Sequence, residues 1–487
     1  MSTELPPNAN LEHLKKEAKA LLAELRGKDH GSGSPGRPKL SDAQNAVARK
    51  YGFENWPKLK EHVQSTAALT PEILQRAMAA FHANDAAALG RLLKRHPALR
   101  AKINEPIGDF DSPLIIWVRS RAMLDVLLDA GADVNARSRW WAGGFGLLDL
   151  ASPEVSAAAI RRGALVTVHA AARLGMIEKL KELVAADPAL VHARGGDGQT
   201  PLHFASTVEI AEYLLDHGAG IDVRDVDHES TPAQYMVRSR QEVARYLVRR
   251  GCKTDILMAA ALGDLHLVRK HLDADPESIR TRVSEEWFPM TGSSRAGGTI
   301  YQWELGWHVS AAQVAKAFGH SEVFDLLMER SPLEEKLLNA CWLHDEALVA
   351  SLLAQRPNVA SLSAAGRRQL AHAARNNDTA AARLMIAAGL PVEARGQHRG
   401  TTLHWAAWHG NIELVRLILA HHPDIEDRDN DFKASPLGWA THGSLNGWYR
   451  EKGDYPATVE ALLDAGARPP AEVSGSKAVQ AILRRRG

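Results

Sequence analysis

Between residues 71 and 468 the apolar positions alternate between two patterns, a short run built around paired alanines and a longer run with apolar residues three and four apart. The stretch 399–429, RGTTLHWAAWHGNIELVRLILAHHPDIEDRD, shows both. Thr401 stands where a hydroxyl can cap a helix, and Leu403, Ala406 and Ala407 then form one buried stripe. Gly410 stops that helix, because glycine accepts the left-handed conformation at a helix end. Ile412, Leu414, Val415, Leu417, Ile418 and Leu419 predict a second helix. The small alanines let neighbouring helices approach closely. At the N-terminus, Asn10 as cap and Leu11, Leu14, Ala18, Leu21, Leu22 and Leu25 along one face predict an amphipathic helix. The glycine-, proline- and serine-rich run 27–39 reads as a linker, and another helix is expected from Ser41.

The unit at 399–429 resembles the ankyrin repeat, T-P-L-H-x-A-A-x-x-G followed by an apolar outer helix, departing only in Thr402 for proline and His422-Pro423 for Gly-Ala. Thr200-Pro201-Leu202-His203 through Gly218-Ala219 is a second copy. Inner helices recur at 168–175, 258–263 and 314–320. Repeat ends stand at Gly131-Ala132 and Gly466-Ala467, and variant ends at His96-Pro97, Asp187-Pro188, Asp275-Pro276 and Arg356-Pro357. At about 33 residues per unit, 71–468 holds about twelve. The resemblance implies an all-α ankyrin-repeat solenoid of about twelve helix-turn-helix units with two inserted loops. Residues 1–70 are then a small helical module with its linker, 71–468 the array, and 469–487 a capping helix that shields the last apolar face. The piece 40–63 resembles a module that precedes ankyrin repeats in bacterial proteins, with Tyr51, Phe53 and Trp56 expected to pack it onto the first repeat, a peptide-binding role being the alternative. Aromatic- and glycine-rich insertions interrupt the period near 283–308 and 443–456, and insertions of this kind fall in loops, often on a binding face.

Composition narrows the function classes. The 59 Lys and Arg against 58 Asp and Glu give no global field for nucleic acid or an anionic membrane. Two cysteines, Cys252 and Cys341, fit a reducing compartment, and no apolar run reaches membrane length. A cytoplasmic monomer without a cofactor is expected. P-loop, H-E-x-x-H, C-x-x-C and G-x-S-x-G motifs are absent. Asp427, Asp429 and Asp431 alternate like a calcium loop, but Phe432 and Gly438 stand where its glycine and glutamate belong. His409 and His442 lack a third ligand, so no metal site is expected.

Projected onto the repeat geometry that the resemblance implies, the groove positions hold Phe318, Trp342, His372, Arg375, Asn376, Trp405, Trp408, His409, Trp439 and His442, with Trp303 and Trp307 nearby. A concave surface lined by aromatics with a few polar groups is the composition of a binding site. Packing of these indoles beneath the inserted loops, as a second core, stands as the alternative. His169, His203 and His404 occupy the T-P-L-H histidine, which the resemblance makes structural. Two function classes remain. One is an interaction protein holding a protein or peptide partner in its groove and fingers. The other is an enzyme or binder of a small polar, carbohydrate-like ligand, with His409, His442, Glu304, Asp431 or Asp454 as acid–base candidates.

Overall fold

The computed structural model describes residues 11–27, 38–66 and 69–486. Asn10 and most of the linker lie outside them. Among the described residues the chain is helical, with three isolated bridges and no strand. It divides into two compact units, 1–232 and 233–487.

In the first unit, helices Leu11–Gly27, Leu40–Lys50 and Trp56–Thr66 enclose Leu14, Ala18, Val47, Ala48, Leu59 and Val63. Tyr51, Phe53 and Trp56 pack against this small core itself. Three short helices cannot bury a core without large side chains, and the third of them, Trp56–Thr66, also contacts helix Pro97–Ala101 of the array. The second helix starts one residue before Ser41, where the Asp42 carboxylate accepts the Lys39 amide at 2.8 Å.

Inner and outer helices then alternate through five pairs in the first unit and seven in the second. Outer helices repeatedly begin on an Asx cap: Asp85, Asp264, Asp345, Asp378 and Asn411 each accept the amide three residues on. The residue before each is left-handed, namely Asn84, Gly263, His344, Asn377 and Gly410, and this reverses the chain between the two helices. The proline-ended repeats use two solutions. Arg356 and His422 take the left-handed conformation themselves. His96, Asp187 and Asp275 stay extended, and the proline opens one further helical turn, as at Pro97–Ala101.

Within the second unit, Leu337, Leu370, Leu403 and Leu437 run through a core in which Ala340, Ala374, Ala407 and Ala440 are fully buried. Helix Lys477–Arg486 closes it with Val479, Ile482 and Leu483. The first insertion is fastened at its base by a bridge between Arg282 and Ser310. Arg282, buried, pairs with buried Glu335 at 3.1 Å, and Arg280 reaches the same carboxylate at 3.2 Å. Within the insertion, fully buried Tyr301 donates to Asp255 at 2.9 Å and carries Phe288 on its ring. The second insertion differs from a simple loop, since helix Pro436–Asn446 runs on through its first four residues. It then turns back against the preceding inner helix, where a Cβ on Gly443 would stand 2.3 Å from the Trp408 carbonyl oxygen. Tyr455 donates to that same carbonyl at 2.9 Å.

Candidate functional site

Helix Thr402–Trp408 carries Trp405 and Trp408 nearly one turn apart, so both point along one face. Helix Pro436–Asn446 sets Trp439 across from them, with ring centroids 5.1 Å from Trp405 and 6.3 Å from Trp408, both edge to face. His442 lies on Trp408 at 5.7 Å. Trp448, from the second insertion, stacks on Trp405 at 6.0 Å and meets Trp408 edge-on at 6.4 Å. Finger residues His398 and Phe432 complete a cavity of about 380 Å³. Its floor is buried, Trp405 being 3% and Trp439 5% exposed, while Trp448 at 59% and Phe432 at 61% stand at the mouth. The indole N–H groups of Trp405, Trp408 and Trp439 are buried without a hydrogen-bond partner. Such donors cost free energy until an acceptor meets them.

Arg375 joins the two insertions. Its guanidinium lies 5.0 Å from the Trp307 ring centre, 5.2 Å from Trp448 and 5.7 Å from Trp405. It also donates to Gln397. Cation–π contact of this kind strengthens as water is excluded. The Arg375 carbonyl accepts from His409 Nε2 at 2.7 Å. Burial, and secondarily the Arg375 charge, holds the His409 imidazole down to about 4. Beneath them His308 and His372 stack at 3.3 Å. Burial first, then Arg375 and Arg282, lowers His308 to about 3, and burial with His308 beside it keeps His372 well below its ordinary range. Two stacked imidazoles must stay neutral, since neither charge could be solvated there.

The residues singled out from the sequence therefore part company. Trp405, Trp408, Trp439 and His442 line the cavity. His409, Arg375, His372 and Trp307 form a layer beside it. Asn376 is exposed and accepts from Arg375. Trp342 donates to Gln369 at 3.1 Å, and Phe318 lies under Arg238. Trp303 is 70% exposed, with no ring contact among the described residues. Of the acid–base candidates, Asp431 pairs with His398 at 3.3 Å, and Asp454 caps helix Tyr455–Asp464. Glu304 accepts from Arg238 through its carbonyl, and burial raises its carboxyl. Trp448, Phe432 and His398 were not foreseen, because a ring on a loop has no periodicity to show where it lands. The T-P-L-H histidines are structural. His169, His203 and His404 each turn Nε2 to a finger carbonyl, at 3.0, 3.2 and 3.1 Å.

Stacked inner and outer helices with finger loops between pairs define a helical-repeat interaction fold. The family model described as ankyrin repeats matches the chain in three copies, over residues 168–258 and 313–429. Those two stretches of the chain are ankyrin repeats. No curated protein sequence matches the chain.

Proposed function

We propose that the chain is a non-enzymatic interaction protein that holds an extended peptide segment of a partner protein, anchored by an apolar side chain in the Trp405–Trp408–Trp439–Trp448 cavity. Ankyrin repeats in general serve protein–protein interaction. The observation that carries the reading is the cavity itself, aromatic on its floor and open at a mouth formed by two exposed rings. Large aromatic anchors in a recess are what interface hot spots consist of. Catalysis is less well supported, because Asp454 serves as a helix cap, Asp431 is tied to His398, and Glu304 does not line the aromatic cavity. The same reading keeps the binding event in the cytoplasm, with a monomeric chain and no nucleic acid.

A second reading rests on one specific observation. Three indole N–H groups without acceptors beside flat ring faces also suit a small hydroxyl-rich ligand such as a saccharide. Selection from a random peptide library against the full-length protein separates the two. Enriched peptides whose affinity falls by about 1 to 4 kcal/mol in Trp448→Ala and Trp408→Ala support peptide binding. Failure of any peptide to enrich, alongside saccharides that quench the tryptophan fluorescence saturably, overturns it.

A further inference from the structure

In the first unit, two neighbouring finger loops bring Asp197, Asp227 and His228 together. His228 Nε2 lies 3.9 Å from Asp197 Oδ2 and 3.8 Å from Asp227 Oδ2. One donor atom from each of the three residues lies within 4.8 Å of the others. These separations are too long for a hydrogen bond between imidazole and carboxylate. They are close to what donors show around one small cation: with metal–ligand distances of about 2.0 to 2.2 Å, neighbouring ligands stand roughly 3 to 3.5 Å apart. His228 stands within about half an ångström of that spacing from each carboxylate, and the two carboxylates, within 4.8 Å of each other, close the triangle by drawing together by up to about 1 Å or slightly more.

The frame that holds the three groups is built before any ion arrives. Asp197 adopts a left-handed backbone conformation, and its carbonyl accepts the amides of Val226 at 2.8 Å and Asp227 at 3.2 Å, fastening one finger to the next. Asp225 accepts the amides of His228 at 2.8 Å and Ser230 at 2.7 Å, which fixes the loop carrying the other two ligands. The side chains of Asp197, Asp227 and His228 are 13%, 6% and 11% exposed. A second observation points to a ligand: Asp197 Oδ1 is buried without a hydrogen-bond partner. A buried carboxylate oxygen with no donor is costly unless something positive meets it.

We propose that Asp197, Asp227 and His228 bind a small first-row divalent cation of the zinc type, with water filling the remaining coordination. Two carboxylates balance its charge, and a neutral imidazole supplies a borderline-soft nitrogen that zinc takes readily and calcium does not. Asp225, occupied by backbone amides, is a supporting group.

Full-length protein stripped with a chelator and then desalted is titrated with Zn²⁺ by calorimetry, with Asp197→Asn and His228→Ala alongside. The wild type is expected to bind one equivalent that each variant binds about 10-fold or more weakly. Because a variant can misfold, the wild type is also crystallised and soaked with Zn²⁺. An anomalous-scattering peak between the three side chains supports the site. No equimolar binding by the wild type, variants that bind as it does, or no peak at that place overturns it.

Discussion

Arg375 shows how one residue concentrates the chemistry of the second unit. It touches an indole from the first insertion, one from an inner helix and one from the second insertion, and its own carbonyl fixes His409. The neutral imidazoles around it carry a pH dependence whose sign is fixed. His308, near 3, and His409, near 4, titrate in the folded protein well below the ordinary 6.5. Between those limits the unfolded chain binds protons that the folded one refuses, so stability is full above about 6.5 and is lost as pH falls towards 4. Each histidine contributes a slope of about 1.4 kcal/mol per pH unit in that window. Chemical denaturation of the wild type and of His409→Gln at several pH values is expected to show a shallower slope in the variant. Equal slopes would refute the burial of a neutral imidazole at that position. Trp448→Ala, by contrast, removes a half-exposed ring and should leave the unfolding midpoint nearly unchanged.

At the scale of elements, the two insertions are braced in different ways. Insertion one hangs on the buried Arg282–Glu335 pair and on the Tyr301–Asp255 hydrogen bond. Removing one partner of such a pair strands the other charge away from water. Glu335→Gln is therefore expected to cost about 3 to 5 kcal/mol, read by urea denaturation, with a loss below 1 kcal/mol counting against it. Insertion two lies so close to helix Thr402–Trp408 that Gly443 has no room for a methyl group against the Trp408 carbonyl. Gly443→Ala should lift the loop, cost about 1 to 3 kcal/mol as overpacking does, and move Trp448 off the cavity. Tryptophan fluorescence that stays identical to the wild type would show that the loop had not moved.

For the whole molecule, the repeats bury their apolar faces only on their neighbours, so damage should spread along the chain by nearest-neighbour contact. Leu403→Ala removes a leucine 1% exposed and is expected to cost about 2 to 5 kcal/mol. Hydrogen exchange should then quicken first in the helices that pack beside Thr402–Trp408, while protection in residues 71–232 holds. Uniform loss of protection along the chain would contradict this. The N-terminal helices have a core of their own, so deleting residues 1–39 is expected to leave peptide binding by the second unit unchanged, as measured by titration of a selected peptide.

What the sequence determined was everything that periodicity and local backbone chemistry encode. Leu403, Ala406 and Ala407 announced the inner helix, Gly410 its end and Thr401 its N-cap position, and the same signals repeated often enough to fix an all-helical array, while the bond at that cap is made by His404 rather than by the Thr401 hydroxyl. Those features act over three or four residues, which is the range a linear pattern spans. Tertiary structure alone decided which rings face one cavity, because Trp405, Trp439 and Trp448 come from two repeats and a loop, and a loop side chain is placed by what it packs against. It also sent Asp454 to a helix cap, although residue type made it an acid–base candidate. The Asp197–Asp227–His228 triangle was hidden for the same physical reason. Thirty residues of chain separate Asp197 from its partners, and only the stacking of one repeat on the next brings the two fingers within the few ångströms over which charges and ligands act.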